Sequence, residues 1–296
     1  MAETKSLDAF KPRHDFLVAL DSDGCVFDSM EIKHKECFTP QFIKHWNLQA
    51  AAKYARQVWE FANLYSVHRG ANRFPVLVTC LDLLMDYPLA VARGIQVPDL
   101  QPLRDFANSK LPPSNASLTR LIQEKPHPVL DQTLAWSHAV NAAVHDIVKG
   151  VPPFPKVIES LDRILAKADL NVVSGTPGEA LVREWEEHKI DHYPAVIAGQ
   201  ELGKKAEHLS AFKAGKRYHD DHTLMVGDAP GDLKAALATD TLFFPINPGH
   251  EEDSWQRLHD EGLDRFFAGT FRGPYEQSLI SEFEKLLPSR PPWKES

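Results

Sequence analysis

The feature that most constrains the fold is the alternation of short apolar runs with helical stretches in the second half of the chain. From Pro152 onward, the amphipathic stretch "VIESLDRIL" precedes the apolar run "LNVVSG", and the pattern then repeats. The later apolar runs are "YPAVIAG", "TLMVGD" and "TLFFPIN". Runs in which nearly every position is apolar are typical of strands buried on both faces, and alternation with helices favours a parallel sheet. The sequence therefore predicts an α/β protein with a doubly wound parallel sheet.

One further strand stands apart from the others. "FLVAL", at residues 16–20, reads as a buried strand, whereas residues 29–151 show helical periodicity without recognisable strands. In this long segment Ala51, Ala55 and Val58 recur at spacings of four and three, which draws an apolar stripe along one helix. We therefore expect a core formed by residues 1–28 and 152–296, interrupted by an all-helical insertion at residues 29–151.

Charge and cysteine usage narrow the class of function. The 33 basic and 41 acidic residues give a net charge of -8, which argues against general binding of nucleic acid or anionic membranes. The N-terminus lacks the apolar stretch of a secretory signal, and the three cysteines show no metal-ligand spacing. We expect a cytoplasmic protein; the sequence does not indicate an oligomeric state.

Polar side chains follow the predicted strands at the points where those strands end. Ligands of an open parallel sheet bind at the carboxyl ends of its strands, so we expect these side chains to converge. They are Asp21 and Asp23 after the first strand, Ser174 and Gly175 after the second, Lys204 and Lys205 after the third, and Asp228 with Asp232 after the fourth. Clustered carboxylates would bind a hard divalent cation, most plausibly Mg²⁺. A lysine beside them could neutralise a phosphoryl group, and a nucleophilic carboxylate could form an aspartyl-phosphate.

Four stretches carry a family resemblance. "DSDGCVFDSM", "VVSGTP", "KKAEHL" and "VGDAPGD" resemble, in order, the four motifs of the haloacid dehalogenase-like hydrolase superfamily. "FDSMEIKHKECF" further resembles the β-phosphoglucomutase-like branch, in which a helical cap is inserted after the first motif. The resemblance implies a Rossmann-like core with an α-helical cap domain. It also implies a Mg²⁺-dependent phosphohydrolase that acts on a small phosphorylated metabolite.

The resemblance also implies a role for each motif residue. Asp21 would be the nucleophile, and Asp23 would act first as general acid and then as general base. The phosphate-binding residues would be Ser174, Gly175 and Lys205, with Lys204 as the alternative lysine. The metal ligands would be Asp21, Asp23 through its backbone carbonyl, Asp228 and, in support, Asp232.

The carboxylate at position 23 bears on the type of reaction. Relatives that cleave carbon–halogen bonds lack it, and the branch that cleaves phosphonoacetaldehyde typically has a small residue there. Both Asp21 and Asp23 are present, which favours phosphoryl transfer from an oxygen leaving group. Two alternatives stay open: a phosphomutase that returns the phosphoryl group to a sugar, and a non-catalytic phosphate-binding module.

Two local motifs allow further predictions. In "HRGANRFP", the side chains of Arg69, Asn72 and Arg73 could select the substrate, since arginine binds phosphate and carboxylate bidentately; a solvated turn with a structural salt bridge is equally compatible. The stretch from Thr176 to Glu179 has the sequence of a capping box with proline at the first helical position.

Overall fold

The computed structural model describes residue 7 and residues 10–214 and 218–294, and the chain divides into two compact units. The first unit consists of Met1–Met30 and Gly150–Leu286, and the second of Glu31–Lys149 and Leu287–Ser296. The sequence-based assignment places residues 287–296 with the core, whereas the structure groups them with the second unit.

A five-stranded parallel sheet forms the centre of the first unit. The strands are β1 (Phe16–Leu20), β2 (Ala168–Val173), β3 (Val196–Ala198), β4 (Thr223–Gly227) and β5 (Leu242–Pro245). Their order in the sheet is β3-β2-β1-β4-β5, and every neighbouring pair is parallel. The predicted fold class, a Rossmann-like doubly wound parallel sheet, is confirmed.

Helices follow the strands of this unit. They are α9 (Val157–Leu165), α10 (Gly178–Glu187), α11 (Lys205–Lys213), α12 (Pro230–Ala238), α13 (Glu251–Arg257), α14 (Leu263–Phe267) and α15 (Pro274–Leu286). The chain adds β2 and β3 on one side of β1 and then β4 and β5 on the other, so the direction of winding reverses at β1. The carboxyl end of β1 is therefore the topological switch point, where doubly wound sheets bind their ligands.

The second unit is helical throughout its described secondary structure. Its helices are α1 (Ser29–Ile32, which begins in the first unit), α2 (Thr39–His45), α3 (Ala52–Leu64), α4 (Arg73–Met85), α5 (Pro88–Val91), α6 (Gln101–Ala107), α7 (Asn115–Glu124) and α8 (Pro128–Ile147), with a π-helical turn at Lys33–Phe38. Ala51, Ala55 and Val58 are buried, as the apolar periodicity predicts. The core contains Trp59 and Trp136, whose ring centroids lie 5.8 Å apart.

The C-terminal segment packs on this helical unit. The ring of Trp293 stacks on Tyr87, with the centroids 5.0 Å apart and the planes 7° from parallel, and meets Phe61 edge-on at 5.4 Å. Lys294 Nζ lies 2.8 Å from a carboxylate oxygen of Asp86. These contacts explain why the segment groups with the helices rather than with the sheet.

Two observations bear on the environment of the protein. Within the described part of the chain, the helices are too short or too polar to cross a lipid bilayer. Cys25, Cys37 and Cys80 are all buried, free thiols.

Candidate active site

A sharp turn after β1 presents the first two aspartates. The amide of Asp21 donates to the carbonyl of Val226 at 3.0 Å, which extends the ladder between β1 and β4 by one step. The carbonyl of Ser22 then accepts bonds from three successive amides, those of residues 25–27. Gly24 adopts a φ of +74°, a conformation that costs other residues energy, so the glycine permits the turn immediately after Asp23.

Strand register brings the other motif residues to the same edge. Leu20 of β1 pairs with Val172 of β2 and with Val226 of β4. Ser174 and Asp228 each follow two residues after those partners, and both are almost completely buried. The predicted convergence at the carboxyl end of the sheet is therefore a consequence of the parallel register.

Lys205 joins two of the carboxylates. Its Nζ lies 2.5 Å from Asp21 Oδ2 and 2.5 Å from Asp232 Oδ1, with about a fifth of its side chain exposed. Lys204 is exposed and contributes its backbone amide to Glu207 at the start of α11. Of the two lysines that the sequence leaves open, the geometry brings Lys205 to the nucleophile position.

Asp232 holds this lysine from the first turn of α12. Its Oδ2 accepts the amide of Ala229 at 3.0 Å, which caps the helix, and its other oxygen accepts from Lys205. A Cβ on Gly227 would lie 2.4 Å from Asp232 Cγ, so the absence of a side chain there lets the carboxylate approach β4.

Burial and charge perturb the ionisation of this cluster. Burial raises the pKa of Asp21 from 3.8 to about 6; Lys205 opposes this shift and Asp232 adds to it. Burial alone would lower the pKa of Lys205, but the carboxylates of Asp21 and Asp232 outweigh it and raise the pKa. The pKa of the Cys25 thiol is raised well above 9.0, by burial first and then by the carboxylates of the cluster. The negative charge of the site is thus only partly compensated by its lysine.

Three of the carboxylates could hold a metal ion. Asp21, Asp228 and Asp232 each offer an oxygen, and these oxygens lie within 4.8 Å of one another. Buried carboxylate oxygens are the donors that a hard cation such as Mg²⁺ prefers, and the raised pKa of Asp21 shows a demand for positive charge, so the donor set fits the cation. The side chain of Asp23 is not in this group, and the role of its backbone carbonyl stays a prediction.

The Asp23 side chain is held by two hydroxyls that the sequence analysis did not assign to the site. Thr176 Oγ1 donates to Asp23 Oδ2 at 2.8 Å, and Ser29 Oγ donates to Oδ1 at 2.6 Å. The predicted capping box is therefore wrong: α10 begins at Gly178 with Pro177 as N-cap, and the N-cap residue makes no side-chain capping hydrogen bond. The only sequence signal for this role is that Thr176 is a hydroxyl residue two positions after Ser174, at the end of the same strand.

The phosphate-binding candidates lie in the loop after β2. Ser174 is 2% exposed, and its Oγ accepts the amide of Thr176 at 3.3 Å, whereas Gly175 is exposed. Their binding of phosphoryl oxygens stays a prediction.

The three residues proposed for substrate selection make contacts inside the helical unit. The guanidinium of Arg69, which is 3% exposed, donates to the carbonyl of Leu64 at 3.0 Å. Asn72 caps α4 by accepting the amide of Phe74 at 3.0 Å. Arg73 donates to Asn141 Oδ1 at 2.7 Å, and burial lowers its pKa to about 10. These contacts give each residue a structural role, and a part in substrate selection stays a prediction.

The family model described as haloacid dehalogenase-like hydrolase matches residues 98–244, which include Ser174, Lys205 and Asp228. A search of curated proteins found no significant match. A crystal structure from Lactobacillus delbrueckii subsp. bulgaricus, of a protein predicted to be a phosphoglycolate phosphatase, is 14% identical with a TM-score of 0.50; the match covers 86% of this chain and 98% of that one. Another such protein, from Haemophilus somnus, is 16% identical with a TM-score of 0.48, covering 77% of this chain and 84% of that one.

The family match agrees with the last three of the four motifs, and the structural match at a TM-score of 0.50 agrees with the parallel sheet that carries them. The structural likeness supports the fold, and the family model covers three of the four motifs. Over residues 98–244, the chain thus matches the haloacid dehalogenase-like hydrolase family.

Proposed function

We propose that this protein is a Mg²⁺-dependent phosphatase that hydrolyses a small phosphorylated metabolite through an aspartyl-phosphate intermediate. The observation that carries the proposal is the contact of Lys205 Nζ with Asp21 Oδ2 at 2.5 Å, inside a buried group of carboxylates at the switch point of the sheet. A lysine here can compensate both the nucleophile and an incoming phosphoryl group.

In the first half-reaction, Asp21 attacks the phosphorus atom of a phosphate ester. A bond forms between a carboxylate oxygen of Asp21 and phosphorus, and the bond from phosphorus to the ester oxygen breaks. Asp23 gives its proton to that oxygen, so the substrate leaves as an alcohol. Asp23 is half-buried and lies two residues after the buried Asp21, just before the turn at Gly24, and this difference in burial supports a separate role for each carboxylate.

In the second half-reaction, water attacks the phosphorus atom of the acyl phosphate. Asp23, now a carboxylate, takes the proton of the water, and the bond between phosphorus and Asp21 breaks. Inorganic phosphate leaves, and both aspartates return to their starting states.

The cation would be held by Asp21, Asp228 and Asp232, whose oxygens lie close enough to share one ion. When bound, Mg²⁺ supplies positive charge to the phosphoryl oxygens. Lys205 keeps the nucleophile oriented, and Ser174 with the neighbouring amides of its loop would bind the phosphoryl group.

The helical unit is proposed to act as a cap that restricts the site to small esters, as in relatives with an inserted cap. The three free, buried cysteines support the expectation of a reducing compartment such as the cytoplasm.

The test is phosphate release from a panel of small phosphate esters, with Mg²⁺ or with EDTA. Wild type is compared with Asp21→Asn and with Asp253→Asn, the latter at an exposed carboxylate of the same unit. We expect release only with Mg²⁺ present, no turnover by Asp21→Asn, and wild-type rates for Asp253→Asn. Turnover by Asp21→Asn at the wild-type rate would refute the aspartyl-phosphate route. Transfer of the phosphoryl group to a sugar phosphate instead of water would favour the phosphomutase.

A further inference from the structure

Thr176 has a partner that its sequence context does not predict. Its hydroxyl could have capped α10, which begins two residues later, but it donates instead to Asp23 Oδ2 at 2.8 Å. The amide groups at the start of α10 are satisfied differently: Glu201 accepts the amide of Gly178 at 3.0 Å. Because Glu201, on the loop after β3, accepts this amide, the Thr176 hydroxyl is not needed to cap α10 and can donate to Asp23.

The backbone of Thr176 is held from both sides. Its amide donates to Ser174 Oγ at 3.3 Å, and its carbonyl accepts the amide of Gln200 at 3.0 Å. The two loops also touch closely, because a Cβ on Gly199 would lie 2.4 Å from the amide nitrogen of Gly178. The position of the Thr176 hydroxyl is therefore determined by packing between the loops that follow β2 and β3.

The two hydroxyls together fix the rotation of the Asp23 carboxylate. Thr176 binds one of its oxygens, and the fully buried Ser29 binds the other at 2.6 Å. The terminal torsion of an aspartate is broad when nothing constrains it, so an unbraced carboxylate would sample many orientations. With one hydroxyl on each oxygen, the plane of the carboxylate is set.

We propose that Thr176 is a positioning residue for Asp23, holding the carboxyl group in the orientation that delivers its proton to the leaving oxygen. A hydroxyl suits this purpose because it donates to a carboxylate and accepts from a carboxylic acid, so it can keep its partner in both protonation states. The inference rests on the proposed function, since it assigns Thr176 a part in the proton transfer of the first half-reaction.

The proposal predicts a dependence on the leaving group. An alkyl ester expels a poor leaving group that needs the proton of Asp23 as the bond to phosphorus breaks. A nitrophenyl ester expels an anion that is stable near neutral pH and needs little help. The value of kcat/KM includes only steps up to release of the alcohol, so it isolates this half-reaction from the later attack of water.

The experiment measures kcat/KM of wild type, Thr176→Val and Thr176→Ser for a series of alkyl and aryl phosphates with Mg²⁺ present. For Thr176→Val we expect a loss of about tenfold to a hundredfold with alkyl esters and a loss below about threefold with 4-nitrophenyl phosphate. Thr176→Ser, which keeps the hydroxyl, should recover most of the activity towards alkyl esters. Equal losses for all esters, or no loss for alkyl esters, would overturn the positioning role.

A second comparison separates this role from a general effect on the loop. In an Asp23→Asn background the proton donor is absent, so adding Thr176→Val should change kcat/KM by less than about twofold. If Thr176→Val lowers kcat/KM by the same factor in the Asp23→Asn background as in wild type, Thr176 does not act through Asp23. The proposed function fails separately, and visibly, if wild type releases no phosphate or if Asp21→Asn is as active as wild type.

Discussion

Replacing the Asp21 carboxylate with an amide is expected to stabilise the cation-free protein at neutral pH while it abolishes turnover. Asp21 is 6% exposed, and burial raises its pKa from 3.8 to about 6 even though Lys205 opposes the shift. The native state therefore binds the Asp21 proton more tightly than the unfolded chain does. Asparagine is close to the shape of the protonated acid and carries no charge, so it avoids the cost of a buried carboxylate.

The size of this stabilisation follows from the pKa shift of Asp21. A rise from 3.8 to about 6 is about two pKa units, and at about 1.4 kcal/mol per unit it corresponds to about 3 kcal/mol. The pKa of Asp21 is higher in the folded state than in the unfolded chain. The contribution of about 3 kcal/mol to the free energy of unfolding is therefore present below about pH 4 and is lost as the pH rises through 6. The cation-free wild type should therefore lose up to about 3 kcal/mol over that window, and Asp21→Asn should not.

Urea unfolding in EDTA, at several values between about pH 4 and pH 8, tests the prediction with Asp253→Asn as control. At about pH 8, we expect the free energy of unfolding of Asp21→Asn to exceed that of wild type by up to about 3 kcal/mol. At about pH 4, we expect this difference to vanish. Adding Mg²⁺ should stabilise wild type more than the variant, since a ligand that binds only the native state adds to its stability. If Asp21→Asn is the less stable protein throughout, or the difference does not change with pH, the reasoning about the buried charge is refuted.

Three further predictions concern other contacts. Lys205→Met should lower kcat/KM by about a hundredfold or more, whereas Lys204→Met should stay within about twofold of wild type; equal losses would contradict the assignment of the lysine. Tyr218→Phe removes a hydroxyl that donates to the buried Asp169 at 2.6 Å, so urea unfolding should show a loss of about 1–3 kcal/mol. Trp293→Ala should destabilise the helical unit by about 1–3 kcal/mol, seen as faster hydrogen exchange in α3 and α5; unchanged exchange there would mean that the C-terminal segment does not support the helices.

The sheet and the convergence at its edge could be predicted because both follow from local patterns. The strands are short, buried segments in which most residues are apolar, and the parallel connection leaves little freedom in where the carboxyl end of each strand lies. Once β1 lies between β2 and β4, Asp21, Ser174 and Asp228 must come to one edge. The residue directly after each of these strands was therefore enough to predict the convergence.

The partner of Thr176 could not be predicted, because the sequence allows its hydroxyl to bond either to the start of α10 or to Asp23. A threonine three residues before a glutamate fits a helix cap, and only the tertiary structure offers Asp23 as the alternative acceptor. The position of the C-terminal segment is hidden for a similar reason. Trp293 stacks on Tyr87, far away in the sequence, and the local pattern of the segment does not distinguish a helical unit from a sheet as its support.

Two buried aspartates of the first unit, Asp169 and Asp21, show how the same side chain can serve stability or reactivity. Asp169 in β2 accepts the amides of Arg13 at 2.9 Å and His14 at 3.0 Å, besides the Tyr218 hydroxyl, and so ties the N-terminal segment to the sheet. Asp21 accepts one amide and one lysine, and its pKa still lies near 6 because burial is not fully compensated. A cation that neutralises this carboxylate gains most at such a place, since the free energy that folding loses by burying the charge is recovered on binding. Added donors at Asp21 would stabilise the fold and, for the same reason, weaken the binding of the cation.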